Sequence, residues 1–73
     1  MTKDESIGRR IKIRRAVLDM NQAELAKRAD IAQSYVSMIE AGERPLTADV
    51  LERVAKALEC KTEDLLNERR RLA

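Results

Sequence analysis

Residues 21–42 read NQAELAKRADIAQSYVSMIEAG, and this stretch decides how the chain folds. Asn21 is a favourable N-cap, and Glu24 three residues later makes a capping box with it. The apolar side chains that follow recur at helical spacing, which predicts a short helix over residues 22–29. Asp30 tolerates the left-handed backbone conformation that a helix exit requires, so a turn is predicted there.

A second helix is predicted after this turn, over residues 33–41, and Gly42 ends it. Ala26 is small enough for the two helices to cross closely. The positions predicted to face inward are Leu25, Ala26, Ala29, Ile31, Val36 and Ile39. Two short helices joined by a tight turn form a helix-turn-helix, in which the first helix braces the second.

Three further helices flank this motif and contain apolar stripes at the same spacing. They are predicted over residues 6–18, 48–58 and 62–67. Since no linker or internal repeat divides the chain, we expect one all-α domain over residues 1–73. Its core is predicted to span about 7–66 and its helix-turn-helix about 22–41, with a frayed tail at 67–73.

The composition excludes several classes of protein. The chain has no histidine and one cysteine, Cys60, so neither a metal site nor an intramolecular disulfide is predicted. It has no glycine-rich phosphate loop, and we expect no enzyme, cofactor or small-molecule ligand. No apolar run approaches the length of a transmembrane helix, so a cytoplasmic protein without a membrane partner is expected. Cys60 is interpreted as a buried structural thiol rather than a redox switch.

The charge is unevenly distributed, although the net charge is only +2. Residues 1–36 carry eight basic and five acidic side chains, whereas residues 37–68 carry four basic and eight acidic ones. A relatively basic end favours a polyanionic partner, and plain solubility is the alternative explanation.

Residues 21–45 (NQAELAKRADIAQSYVSMIEAGERP) and 47–66 (TADVLERVAKALECKTEDLL) together resemble the lambda-repressor-like, Cro or Xre-type family of DNA-binding domains. The specific parts are the NQxELA start, the QSxVSxIExG run and the AxAL end. The resemblance covers residues 7–66 and implies a compact five-helix bundle. Its third helix, here residues 33–41, is the recognition helix and lies in the major groove of double-stranded DNA.

The resemblance places one face of the recognition helix against DNA: Gln33, Ser34, Ser37 and Met38, with Tyr35 at the flank. A glutamine bonds bidentately to adenine and serine hydroxyls bond to any base or phosphate, whereas ordinary solvation is the alternative for Gln33. Met38 either meets a thymine methyl or fills a gap in the core. Tyr35 either binds a phosphate through its hydroxyl or packs its ring on the first helix.

Phosphate contacts are expected at two places beside this helix. The resemblance implies that Gln22 contacts a phosphate and supports the first residue of the recognition helix. Arg44 lies in a loop where the family often touches the DNA backbone, although the neighbouring Glu43 opposes DNA locally. For Arg10 and Arg14, flanking phosphate contacts and a solvated basic face are equal alternatives.

A structural ion pair is expected between Arg15 and Glu40. Arg15 flanks the apolar stripe of the first helix, and a half-buried arginine needs a carboxylate. Glu40 stands at the inner end of the recognition helix, and the resemblance implies the same pairing. A dimer interface is expected around Leu65 and Leu66 in the fifth helix, because a single recognition helix reads too few base pairs.

The sequence therefore predicts a transcriptional regulator that binds a partly palindromic operator as a homodimer. It would repress, for example at its own promoter, or activate by touching RNA polymerase. A restriction-modification controller, a phage repressor and an antitoxin all fit, and a bacterial or phage source is expected. The alternative is an interaction module of the same fold whose main partner is a protein such as a toxin.

Overall fold

The computed structural model describes residues 2–66, which form five α-helices and no strand. They are α1 (Lys3–Val17), α2 (Gln22–Ala29), α3 (Gln33–Glu40), α4 (Ala48–Ala57) and α5 (Thr62–Leu66). The predicted all-α class is confirmed. None of the five helices is long and apolar enough to cross a lipid bilayer. The tail predicted at 67–73, and the last residue predicted for α5, lie outside the described residues.

Helix α1 begins at Lys3, three residues before its predicted start at Ser6. Thr2 is the N-cap: its hydroxyl accepts a hydrogen bond from the Glu5 N–H at 3.1 Å, and its own N–H donates to the Glu5 carboxylate at 2.9 Å. The Thr2 N–H stabilises the charged carboxylate and so lowers the pKa of Glu5. The predicted start was wrong because Thr2 and Glu5 form a capping box, which fixes the start of α1 three residues earlier.

Left-handed residues reverse the chain between the helices. Asp30 has a φ of 58°, which confirms the turn predicted between α2 and α3. Asp19 and Glu59 take similar values, 55° and 60°, at the exits of α1 and α4. Asn21 caps α2 as predicted, and its side chain accepts from the Glu24 N–H at 2.8 Å, whereas the Glu24 carboxylate, expected to complete a capping box, accepts from Arg28 at 2.6 Å. The two helices of the helix-turn-helix therefore begin and end at locally encoded positions.

The core is aliphatic, and α3 packs against both α1 and α2 within it. Helix α2 packs on α3 and α4, and α1 packs on α3 and α5. The largest fully buried side chains among the described residues are Ile11, Leu25, Ile39, Leu58, Leu65, Val36 and Val54. Each such side chain contributes on the order of 1.5–3 kcal/mol by leaving water. Each of the five helices supplies at least one of them, so all five helices share one core.

Leu65 belongs to this core, and its assignment to a dimer interface is wrong. Its side chain is 2% exposed, so it cannot reach a second copy of the chain. The neighbouring Leu66 is 44% exposed. Successive residues of a helix point about 100° apart, which places the two leucines on different faces of α5.

Cys60 follows α4 and packs half-buried against the core. Burial raises the pKa of the Cys60 thiol, because apolar surroundings disfavour the thiolate. A protonated thiol is a poor nucleophile, so the structure favours the structural role over a redox switch.

Gly8 allows α1 to approach the end of α3 closely. A Cβ atom at Gly8 would meet the carbonyl oxygen of Ile39 and would lie 2.8 Å from that of Glu40. Both oxygens belong to the backbone of α3, so no change of side-chain rotamer relieves the overlap. This contact sets the distance between α1 and α3.

We expect Gly8→Ala to lower the free energy of unfolding by about 1–3 kcal/mol, since the two helices must move apart. The loss should outweigh the gain of roughly 1 kcal/mol that alanine brings to a helix interior. Urea denaturation followed by circular dichroism measures it. The control is Arg9→Ala at the exposed neighbouring position, expected within about 0.5 kcal/mol of the wild type. A Gly8→Ala protein as stable as the wild type would contradict the close approach.

Candidate nucleic-acid interface

Helix α3 has one buried face and one exposed face. Val36 and Ile39, which are 1% and 2% exposed, anchor the inner face in the core. Gln33, Ser34 and Ser37 are exposed. Because positions three and four residues apart share a helix face, these three side chains lie together. The outer face therefore presents one amide and two hydroxyl groups, which both donate and accept hydrogen bonds.

Tyr35 and Met38 lie at the flanks of this face and are half-buried. Met38 lies outside the aliphatic core, so the structure does not favour a gap-filling role. Tyr35 packs partly on the core and turns toward the loop that follows α3. Its hydroxyl donates to the Pro45 carbonyl oxygen at 3.5 Å, and the Arg44 guanidinium carbon lies 5.5 Å from the ring centroid.

Glu40 ends α3 and ties it to both preceding helices. Its carboxylate is 4% exposed. Arg15 of α1 donates to it from Nε at 2.7 Å and from Nη2 at 3.0 Å. Gln22 of α2 donates to it from Nε2 at 3.0 Å. The ion pair predicted between Arg15 and Glu40 is present, and it is bidentate.

The Arg15–Glu40 pair is buried but well satisfied. Its hydrogen bonds to Glu40 raise the pKa of Arg15. Arg15 also donates from Nη1 to the Met20 carbonyl oxygen at 2.9 Å. An isolated buried charge would be costly, whereas a bidentate pair with a further donor offsets much of the desolvation. Since the donors come from two helices, α3 cannot rotate about its axis without losing hydrogen bonds.

Gln22 lies at the start of α2 and reaches the recognition helix through Glu40. A carboxylate only accepts hydrogen bonds, so Gln22 must direct its NH2 group toward Glu40. The sequence did not predict this bond: the resemblance implied that Gln22 supports the first residue of α3, whereas its amide bonds to Glu40, the last residue of that helix. The contact of Gln22 with a phosphate stays a prediction, and the second N–H of the amide permits it.

The loop after α3 begins with a Schellman motif. The Gly42 N–H donates to the Ile39 carbonyl oxygen at 3.0 Å, and the Glu43 N–H donates to that of Met38 at 2.9 Å. Gly42 has a φ of 76°, a conformation that favours glycine. The motif fixes the direction in which the chain leaves α3, and with it the position of the exposed Arg44.

Arg10, Arg14 and Arg53 bind the ends of helices. Arg10 Nη1 donates to the Leu65 carbonyl oxygen at 2.8 Å, and Arg14 Nε donates to that of Leu58 at 3.0 Å. Arg53 binds two carbonyl oxygens at the end of α2 in the same way. Cations at helix C-termini are favourable because they meet unpaired carbonyl groups. The structure thus favours neither alternative considered for Arg10 and Arg14: both hold α1 against α4 and α5.

Comparisons with known proteins agree with this architecture. A sequence profile of the helix-turn-helix family matches residues 11–65. Control protein C.BamHI from Bacillus amyloliquefaciens is 38% identical over 55 residues, which cover 75% of this chain and 68% of that protein. The restriction-modification controller protein C.AhdI from Aeromonas hydrophila has a similar structure, with a TM-score of 0.83 and 26% identity over 85% of this chain and 94% of that chain.

A further similar structure is the P22 c2 repressor in complex with a synthetic operator. Its TM-score is 0.79, and its identity is 33% over 84% of this chain and 92% of that chain. The chain belongs to the helix-turn-helix family of DNA-binding transcriptional regulators, as the resemblance predicted. Members of this family are not enzymes, and the relatives compared are bacterial and phage proteins.

We expect Glu40→Gln to lower the free energy of unfolding by about 3 kcal/mol. The substitution keeps the size of the side chain but leaves the charge of Arg15 buried without its partner. The matched control is Glu24→Gln, which removes the ion pair with Arg28 at 2.6 Å, where the two side chains are 44% and 46% exposed. That loss should stay below about 0.5 kcal/mol. Urea denaturation measures both, and equal losses would contradict the role assigned to Glu40.

Proposed function

We propose that this regulator recognises double-stranded DNA by placing α3 in the major groove as its recognition helix. The observation that carries the proposal is the uncharged polar face of Gln33, Ser34 and Ser37 on a helix that Glu40 holds from inside. Amides and hydroxyls suit base edges, whereas an ordinary solvated helix face carries lysine and glutamate. The similar P22 c2 repressor is bound to an operator, which supports the same use of the fold here.

Direct readout of the sequence falls to the N-terminal half of α3. Gln33 is its first residue and, in this docking geometry, points into the groove, where its amide bonds to N6 and N7 of adenine. Ser34 and Ser37 bond to neighbouring bases or phosphates. Met38 lies at the flank and offers its thioether to a thymine methyl.

Gln22 and Arg44 bracket the recognition helix and contact the DNA backbone. Gln22 stands at the start of α2, where its amide shares the Glu40 carboxylate with Arg15. Arg44 is exposed in the loop, and a guanidinium binds phosphate through two parallel N–H groups. Because several other arginines are engaged at helix ends, Arg44 contributes a large share of the phosphate contacts of one domain.

Two copies bind a partly palindromic operator as a homodimer. One recognition helix reads only a few base pairs, and a twofold pair doubles the site, with half-sites about 34 Å apart. Leu66, which is 44% exposed, supplies part of the interface. Ile13 and Val17 of α1 are 53% and 67% exposed and lie one turn apart, and they supply further apolar surface.

Such a dimer represses transcription where its operator overlaps a promoter, because it excludes RNA polymerase. At an upstream operator, the same dimer activates by touching the polymerase. The likeness to C.AhdI, a restriction-modification controller protein, supports a controller role. Since dimers form by mass action, occupancy of the protein's own promoter rises steeply with its concentration.

The contrast between Gln33→Ala and Arg44→Ala tests the division between base and phosphate contacts. Gln33→Ala should cost about 1–3 kcal/mol on the preferred site and relax selectivity at one base pair. Arg44→Ala should weaken binding to preferred and random duplexes alike and reduce the salt slope by about one unit. Fluorescence anisotropy of labelled duplexes over a salt series measures both effects.

The control for Arg44→Ala is Lys56→Ala, which removes an exposed cation of α4 and should leave the salt slope unchanged. If Gln33→Ala weakens preferred and random DNA equally, Gln33 does not read a base. If no variant changes binding, α3 is not the DNA-binding surface.

Leu66→Glu should raise the dimer dissociation constant at least about tenfold, because a buried carboxylate at an apolar interface is costly. Sedimentation equilibrium with and without operator DNA measures the association. Ala48→Glu introduces the same charge at an exposed position of α4, away from Leu66, Ile13 and Val17, and should leave the association unchanged. A wild-type protein that stays monomeric on its DNA at high micromolar concentration would rule out the homodimer.

A further inference from the structure

The contact between Tyr35 and Arg44 joins the recognition helix to the loop that follows it. Tyr35 is the chain's single aromatic residue. The guanidinium carbon of Arg44 lies 5.5 Å from its ring centroid, within the range of a cation–π interaction. Among the described residues, this is the one cation–π contact that the Tyr35 ring makes.

The backbone on both sides of Arg44 is restrained as well. Pro45 follows it directly, and a residue before proline is confined to extended backbone conformations. The Pro45 carbonyl oxygen accepts from the Tyr35 hydroxyl at 3.5 Å. Two residues earlier, Gly42 has no room for a side chain, because a Cβ atom there would lie 2.9 Å from the Glu5 Cα. Arg44 is therefore held at its backbone by the loop and at its guanidinium by the ring.

We propose that Tyr35 is a positioning residue, which acts on DNA affinity through Arg44 by holding its guanidinium at the edge of the recognition helix before DNA arrives. This inference rests on the proposed function, since it assumes that Arg44 binds a phosphate. It changes the role expected for Tyr35, whose hydroxyl was a candidate for that phosphate. The hydroxyl instead bonds to Pro45 in the loop, and the ring supplies the contact with Arg44.

The physical basis is the flexibility of arginine. A free arginine side chain samples many rotamers and loses that freedom when it binds a phosphate. A guanidinium held over a ring has already lost part of that freedom, while its outward N–H groups stay available for two phosphate oxygens. Removing the ring should therefore weaken DNA binding about three- to tenfold, even though Arg44 remains in the sequence.

The test is a double-mutant cycle on the preferred duplex at about 150 mM salt. It compares the wild type with Tyr35→Leu, Arg44→Ala and the protein that carries both substitutions. Tyr35→Leu keeps an apolar side chain against the core, and urea denaturation confirms that each variant folds. We expect Tyr35→Leu to weaken binding three- to tenfold in the wild type and less than about twofold when Arg44 is already alanine. Losses that simply multiply would overturn the inference.

Tyr35→Phe separates the ring from the hydroxyl. Tyr35→Phe keeps the aromatic ring that contacts the Arg44 guanidinium, so this variant should lose less affinity for DNA than Tyr35→Leu. If Tyr35→Phe loses as much as Tyr35→Leu, the hydroxyl is the active group and the positioning role is wrong.

A measurement without DNA makes failure of this inference distinguishable from failure of the proposed function. The ring should shift the Arg44 δ-proton resonances upfield in the free protein, and Tyr35→Leu should abolish that shift. The resonances of Arg9 serve as the control. If the shift is absent, the positioning role fails whatever the protein binds. If the shift is present but neither Arg44→Ala nor Tyr35→Leu changes DNA binding, the proposed DNA contact of Arg44 fails, and the role of Tyr35 in it fails too.

Discussion

The carboxylate of Glu40 accepts hydrogen bonds from α1 and α2 while it belongs to α3, and this constraint determines how α3, the proposed recognition helix, is oriented. Hydrophobic packing alone would bury Val36 and Ile39 but would allow the helix to slide or turn by some degrees. The directional bonds from Arg15 and Gln22 remove that freedom. Gly8 adds a steric limit at the same end of α3, since backbone meets backbone there. The outer side chains of α3 are therefore held on a rigid element, as the proposed selective binding requires.

The arginines divide into a structural group and an exposed group, and this division changes how the charge of the chain is understood. Arg10, Arg14 and Arg53 bind carbonyl oxygens at helix C-termini, and Arg15 binds Glu40. These side chains stabilise the packing of α1 and α4, so they are not evidence for a polyanionic partner. The basic N-terminal half is consequently a weaker indication of DNA binding than it appears from the sequence. The case for DNA binding rests instead on the shape and chemistry of α3 and on the family.

Local signals made most of the fold predictable. The cap at Asn21, the turn at Asp30 and the helical apolar spacing are encoded within a few residues, and they identify five helices. The partners of Arg14 and Arg10 were not predictable, because they lie 44 and 55 residues away and are backbone atoms without a sequence signal. The ion pair between Arg15 and Glu40 was predicted because Arg15 flanks the apolar stripe of α1, where a half-buried arginine needs a carboxylate, and because the family resemblance implies the same pairing. The cation–π contact between Arg44 and Tyr35 depends on the path of the loop, which side-chain periodicity does not encode.

Selection of binding sites from random duplex DNA at about 150 mM salt, followed by sequencing, tests the central claim most directly. The account predicts an enriched, partly palindromic motif whose half-site centres lie about one helical turn apart, and Gln33→Ala should lose the preference at one position in each half. Enrichment of a single half-site would retain the recognition helix and reject the homodimer. No enrichment at all would contradict sequence-specific recognition by α3, and the face formed by Gln33, Ser34 and Ser37 would then have to serve another partner.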